Sequence, residues 1–209
     1  ESTTLPIVLK EIYDMKLSCK IIVVVPEYDQ STIEAIAKFD CKILKQKGEG
    51  FGNALIQGLR ESDTKYSCIF NADGSFDPKE IKLMHQFLKN NNLDIVFGSR
   101  YEKNSGSDDD TIITLIGNYI FTFIGKIFFS LPLTDILYTF VLGKTSISKN
   151  LNLKKKDFSF CVELPIKAKK NKYLLSTIVS HEKSRIAGKK KVNAFKDGFL
   201  ILKEMISLF

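Results

Sequence analysis

A carboxylate at the end of an apolar run is the group in this chain best placed to do chemistry. Tyr66-Ser67-Cys68-Ile69-Phe70 is short and mostly apolar and stops at Asn71-Ala72-Asp73, after which Gly74-Ser75-Phe76-Asp77-Pro78 turns into a helical pattern. Runs of this length bounded by turn residues read as buried strands. Open α/β sheets bind ligands outside the carboxyl ends of their strands, so Asp73 stands where a ligand is expected. Its oxygens suit a hard divalent cation, which in turn neutralises a diphosphate. The same stretch also reads as a plain strand-to-helix turn, with Asp77 as cap, Pro78 at the first helical position and Glu80 closing a capping box. The two readings are compatible: Asp77 serves the turn and Asp73 the ligand.

Two further segments have anion-binding character. Gly48-Glu49-Gly50-Phe51-Gly52-Asn53 lies between a strand and a helix, where backbone amides can approach an anion closely. It is no P-loop, since no Gly-Lys-Ser/Thr follows, and its glycine spacing breaks the dinucleotide fingerprint. A tight structural turn fits it equally well. Lys183-Ser184-Arg185-Ile186-Ala187-Gly188-Lys189-Lys190-Lys191 offers a bidentate guanidinium and several point charges around a glycine turn. The alternative there is a solvated basic loop. Lys154 to Lys156 and the Lys167 to Lys172 cluster read as solvated faces or contacts to acidic lipid headgroups, and His85 and His181 as ordinary residues.

The elements that hold these groups alternate. Helical spacing covers Leu5 to Leu17, a β-branched run Cys19 to Val25, and a helix Ser31 to Phe39 capped by Ser31 or Thr32. Then come a strand Cys41 to Gln46, a helix Gly50 to Arg60, the Tyr66 strand, a helix Pro78 to Asn90, and a strand Asp94 to Phe97 ending in Gly98-Ser99-Arg100. Such alternation implies a mostly parallel sheet with helices on both faces. Glu102 to Asp110 reads as a mobile polar loop. Thr111 to Leu133 approaches the length of a membrane span. Lys126, Gly117, Gly125 and Pro132 favour one or two helices lying in the interface plane, with a buried core helix as the alternative. A short extended run near Tyr138 to Leu142, a helix Val162 to Asn171, a strand Leu174 to Val179 and an amphipathic helix Val192 to Leu208 complete the chain.

At 209 residues the chain suits a single domain, and 44% hydrophobic with 26% charged residues argues against disorder. From Lys144 onward there are 16 Lys and Arg against 5 Asp and Glu, a surplus of 11, so the preceding part carries −4 of the net +7. An acidic front half for a cation and a basic back half facing anions follow. Cys19, Cys41, Cys68 and Cys161 form no C-x-x-C pair, so a reduced, cytosolic setting without zinc is expected. No signal peptide is evident. The first residue is Glu1 rather than Met, so the natural start is expected upstream.

Taken in order, these segments resemble the family-2 glycosyltransferases of the GT-A fold, especially the dolichol-phosphate mannose synthase and polyprenyl-phosphate sugar transferase branch. The matching residues are Gly50-x-Gly52 with Ala54 and Gly58, Asn71-Ala72-Asp73-Gly74 with Asp77-Pro78, and Gly98-Ser99-Arg100-Tyr101. Leu133-Thr134-Asp135 with Phe140, Glu163, and Arg185-x-Ala187-Gly188-Lys189 follow. The resemblance covers nearly the whole chain and implies one Rossmann-like GT-A domain. Residues 1–100 would form a nucleotide-sugar half and residues 101–209 an acceptor and membrane-facing half. It also implies Mg²⁺ or Mn²⁺ held by Asp73, with Asn71 in place of the family's first acid. Gly50 would line the nucleotide site; Arg100, Arg185 and Lys189 would face donor or acceptor phosphates; and Asp135 and Glu163 would sit near the sugar. Three departures stand out. Glu1-Ser2-Thr3-Thr4-Leu5-Pro6 is similar to the end of the family's first motif, which puts Glu1 at the substrate and leaves the first central strand absent. Pro26-Glu27-Tyr28-Asp29 replaces an acidic pair, so Glu27 or Asp29 stands in. Asn71 is neutral, and Val141 lies where an Arg is frequent.

The implied reaction is an inverting, metal-dependent transfer from a GDP-, UDP- or dTDP-sugar. The acceptor would be a polyprenyl or dolichyl phosphate at the cytoplasmic face of a membrane, where the enzyme is peripheral. A phosphate acceptor needs no strong base, whereas a sugar hydroxyl would call on Asp135 or Glu163. The three departures also allow a catalytically inactive, membrane-associated binding or assembly subunit. Nucleic acid is not an expected partner, because Phe158, Phe160 and Tyr173 fit core positions as well as stacking ones.

Overall fold

A computed structural model describes residues 1–188 and 192–209. The first hundred residues alternate as the pattern predicts: α1 (Leu5–Asp14), β1 (Ile22–Pro26), α2 (Gln30–Ile36), β2 (Lys42–Gln46), α3 (Phe51–Glu61), β3 (Tyr66–Ile69), α4 (Lys79–Asn90) and β4 (Ile95–Ser99). Beyond them come β5 (Gly106–Ser107), α5 (Ile112–Phe129), β6 (Val141–Lys144), α6 (Thr145–Asn150), α7 (Phe160–Lys170), β7 (Leu175–Val179), β8 (His181–Glu182) and α8 (Ala194–Ser207). The helix expected to be capped by Ser31 or Thr32 is instead capped by Asp29, whose carboxylate accepts from the Thr32 amide at 3.1 Å and the Thr32 hydroxyl at 2.7 Å. Asp77 takes its turn role, accepting from the Lys79 amide at 3.0 Å.

The central sheet runs β3-β6-β4-β7, and β1 pairs with β2 in a separate parallel ladder. β4 and β7 are parallel, but β6 is antiparallel to both neighbours. The central sheet is therefore mixed, while three of the five strand pairings among the described residues are parallel. The chain after α5 re-enters at the carboxyl end, with Val141 opposite both Ile69 and Phe97, and a strand entering there must run against β3 and β4. That return carries residues 134–140 over the strand tips. β7 ends at the same edge and delivers residues 181–188 to it.

The two ladders separate between β1 and β3, each of which pairs on one side only among the described residues. α3 spans both: Gly58 lies against Val24, while Ile56 and Leu59 share the main core with Ile69. A second core of Phe76, Met84, Leu88, Val96, Tyr138 and Phe140 fills the face under α4.

α5 is long and apolar enough to cross a membrane by length and composition. It is not a buried core helix: only Asn118, Thr122, Gly125 and Phe129 are buried. Phe158 and Tyr173 pack on the main core and Phe160 is fully buried.

α3 begins with close backbone contact that only glycine permits. A Cβ at Gly52 would stand 2.3 Å from the Lys155 carbonyl and 2.7 Å from that of Asp157. Gly52→Ala is expected to cost about 1–3 kcal/mol by overpacking, read as a lowered urea midpoint with an unchanged slope.

Candidate functional site

Asp73 follows β3 and sits at the mouth of a cavity of about 320 Å³ on the carboxyl edge of the sheet. One carboxylate oxygen is used locally, accepting from the Ser75 amide at 3.0 Å and the Ser75 hydroxyl at 2.7 Å. The other stands 3.9 Å from an Arg185 nitrogen. Gly74 is left-handed at φ +84°, and a Cβ there would meet Ile186 at 2.5 Å. Residues 183–186 run along this turn, because the Lys183 amide donates to the Ser75 carbonyl at 2.9 Å and the Ile186 amide to that of Asp73 at 2.8 Å. A basic strap thus lies over an acidic turn, fastened by backbone hydrogen bonds.

Arg185 reaches from this strap to Asp109, with a guanidinium nitrogen 2.7 Å from the carboxylate. That hydrogen bond raises its pKa above the ordinary arginine value. Asp109 belongs to the polar loop that precedes α5, so strap and loop meet across the cavity mouth. Asp108, Asp109 and Asp110 read as mobile on the sequence alone; here Asp109 and Asp110 line the cavity. Three successive aspartates beside an apolar helix were the available signal.

Arg100 lies deeper and does not await a phosphate. Its Nε donates to one Asp135 oxygen at 2.7 Å and a terminal nitrogen to the other at 3.0 Å. A second terminal nitrogen reaches Glu182 at 3.0 Å, and Asp110 stands 3.6 Å away. Tyr138 covers its face at 4.7 Å. Burial alone would lower the guanidinium pKa, but the charges of Asp135 and Glu182 more than offset that. Asp135 is fully buried and also accepts from the Asn118 amide. Arg100 and Asp135 therefore form an internal ion pair; the expectations of a phosphate-facing arginine and a base near the sugar are both corrected.

Glu163 is likewise committed. Its carboxylate accepts from the amides of Lys154 and Lys155 at 2.8–3.0 Å and from the Lys167 ammonium at 2.7 Å. It pins the 154–157 loop to α7 and does not line the cavity. Gly50 is not among the described lining residues, and a Cβ there would stand 2.2 Å from the Lys156 carbonyl; its neighbour Phe51 lines the cavity, stacked on Phe158 at 4.8 Å. Glu27 is exposed beyond β1 and outside the lining, whereas Glu1 and Asn71 are part of it. Lys189 lies outside the described residues. Cys161 also lines the cavity, and burial pushes its thiol up to about 12, which leaves no thiolate nucleophile.

An α/β sheet with an acidic turn, a cavity and a basic strap converging on its carboxyl edge defines a ligand site of the kind that takes phosphorylated compounds. The family model described as Glycosyl transferase family 2 matches residues 1–151, and the chain belongs to that family. It is a glycosyltransferase. Solved structures similar to it share the fold at low identity. Glucosyl-3-phosphoglycerate synthase from Mycobacterium tuberculosis in complex with uridine-diphosphate has a TM-score of 0.75 at 11% identity, over 100% of this chain and 76% of that one. Mannosyl-3-phosphoglycerate synthase from Rubrobacter xylanophilus has 0.73 at 11%, over 99% and 69%.

Arg100→Met would leave Asp135 and Glu182 buried without their counter-ion. Breaking a buried pair in this way costs about 3–5 kcal/mol, expected as a shift of that size in urea unfolding, with little change for an exposed control such as Lys38→Met.

Proposed function

We propose that this chain transfers a sugar from a nucleotide-sugar donor to an anionic acceptor, a polyprenyl phosphate at the cytoplasmic face of a membrane, with inversion at the anomeric carbon. Residues 1–100 serve the donor and residues 101–209 the acceptor. The observation that carries this reading is the Asp73 turn and Arg185 standing together on the wall of one cavity. The described lining holds Glu1, Asp73, Asp109, Asp110 and Glu182 against Arg100 and Arg185. A diphosphate approaching this acidic surface is repelled unless a cation accompanies it.

The residues present fit such a cation. One Asp73 oxygen keeps only a distant contact, and the Asn71 amide stands two residues away along the chain. Among the described residues no group of three His, Cys, Asp or Glu could hold a metal. The protein would supply few ligands and the diphosphate and water the rest, as is usual for Mg²⁺ bound beside substrate phosphates. One of the similar structures is a complex with Mn²⁺ and uridine-diphosphate. When bound, the ion stabilises negative charge on the departing diphosphate.

The chain's own groups do the rest. An acceptor oxygen attacks the anomeric carbon as the carbon–oxygen bond to the diphosphate breaks, and Arg185 stabilises the charge that develops. A phosphate acceptor is already ionised near neutral pH and surrenders no proton. A hydroxyl acceptor would require a base; of the acids near the cavity Asp109 is paired with Arg185 and Asp135 with Arg100, and Glu163 lies outside the lining. The acceptors named for the similar structures are phosphoglycerates, which also carry a phosphate.

The neutral Asn71 keeps a second reading in play, a binding subunit without transferase activity. Calorimetric titration of the chain with UDP, GDP and dTDP, with and without Mn²⁺, separates the two. One nucleotide is expected to bind in a metal-dependent manner, with Asp73→Ala removing the metal dependence. Arg185→Met is expected to weaken affinity roughly 10- to 100-fold, the worth of a charge-assisted hydrogen bond. Binding indifferent to both metal and Asp73 would remove the proposed donor site.

A further inference from the structure

We propose that the outward faces of α5 and α8 together form a platform that docks flat on an anionic lipid bilayer. The inference rests on the reading above and identifies the surface that brings the site to its acceptor. Among the exposed apolar residues of α5, Ile112, Ile116, Tyr119, Ile120, Phe123 and Ile127 recur at the three- and four-residue spacing of one helix face, with Ile113 and Phe128 exposed beside them. On α8 the same spacing exposes Phe195, Phe199, Leu202 and Ile206, and Phe209 follows. Phe195 is 83% and Phe209 79% exposed. The two strips are continuous. Phe209 meets Phe128 edge-on with ring centroids 5.8 Å apart, and Gly198 lies against Phe121. Apolar area of this extent on a folded surface marks a contact with another phase or molecule.

Charge decides what the contact is. Lys126 is the sole charged residue of α5 and is exposed at the margin of its strip. On α8 both lysines, Lys196 and Lys203, are exposed beside the aromatic strip, whereas both acids are turned inward. Asp197 accepts from the Asn193 amide at 2.7 Å, and Glu204 accepts from the Lys155 ammonium and from the Ser207 hydroxyl at 2.9 Å. Every outward charge on the two helices is positive. Apolar residues bordered by lysines match the headgroup boundary of an anionic leaflet.

The helices lie in the membrane plane and do not cross it. α5 is fixed along its length on the protein: Asn118 donates to Asp135, Thr122 donates to Asn118 at 3.1 Å and accepts from the Ile136 amide, and Gly125 abuts Leu131 and Ile136. Withdrawing it would unpair buried polar groups. The cavity is walled by the same two helices, through Thr114 and Asn118 of α5 and Ile201 of α8. The outward faces of the two helices thus back onto the wall of the cavity.

The test uses the full chain in flotation with vesicles of phosphatidylcholine, alone and mixed with phosphatidylglycerol. Binding is expected to the mixed vesicles and to weaken at least about tenfold in the triple variant Lys126→Gln, Lys196→Gln, Lys203→Gln. Phe123→Asp and Phe199→Asp are expected to abolish it. Sugar transfer to a short-chain, water-soluble phosphate acceptor should persist in all three, so a failure of docking and a failure of the transferase reading are told apart. Absence of vesicle binding overturns the proposal. So does sedimentation of the wild type as a dimer that Phe199→Asp dissociates, which would assign the face to a second copy of this chain.

Discussion

One buried guanidinium holds the working edge of this protein together. Arg100 ends β4 and gathers Asp135 from the return segment after α5, Glu182 from β8, and Asp110 from the loop before α5. These three partners come from three separate stretches of the chain. A charged group taken out of water is tolerated only when its partners complete its hydrogen bonds, and here the fork geometry of arginine matches a carboxylate on two sides. The partners in turn recruit others: Asp135 takes the Asn118 amide, and Glu182 takes the Ser107 hydroxyl. The loop, the strap and α5 therefore stand in fixed relation to the strand tips. One cation among three carboxylates also leaves the edge acidic, which is why Arg185 is drawn onto Asp109 and why a diphosphate needs a companion ion.

Much of the frame was legible in the residues. β-branched runs, glycine turns and helix periodicity located the elements of the first hundred residues to within a few positions. The acidic end of the Tyr66 run and the basic strap emerged as partners in one cavity. The direction of β6 was not legible. It depends on where the chain after α5 re-enters the sheet, and nothing in Val141-Leu142-Gly143-Lys144 records that. Buried ion pairs were hidden for a related reason. Asp135 and Glu163 are acids in apolar surroundings, and sequence does not distinguish a carboxylate aimed into a cavity from one consumed by backbone amides or an arginine.

The polar loop illustrates the converse error. Asp108-Asp109-Asp110 has the composition of a mobile segment, yet its second and third residues are tied down by Arg185 and Arg100. Composition speaks of what a segment does alone; the ion pairs come from elsewhere in the chain. Asn118 is similar. One amide in an otherwise apolar helix looks like tolerated polarity, but it fixes the rotation of α5 about its own axis by holding Asp135.

That rotation links the chemistry to the surface. Asn118, Thr122 and Gly125 recur at spacings of four and three, so anchoring them turns the opposite side of the helix outward along its whole length. The residues on that side are isoleucines and aromatics, which water alone would not stabilise there. The ion pair at Arg100 and the apolar outer face are thus two sides of one constraint. A substitution that loosened Asn118 from Asp135 would disturb the cavity wall and misalign the outer strip with that of α8. Were the acceptor carried in a lipid phase, as proposed, the same anchoring would also set how its phosphate meets Arg185.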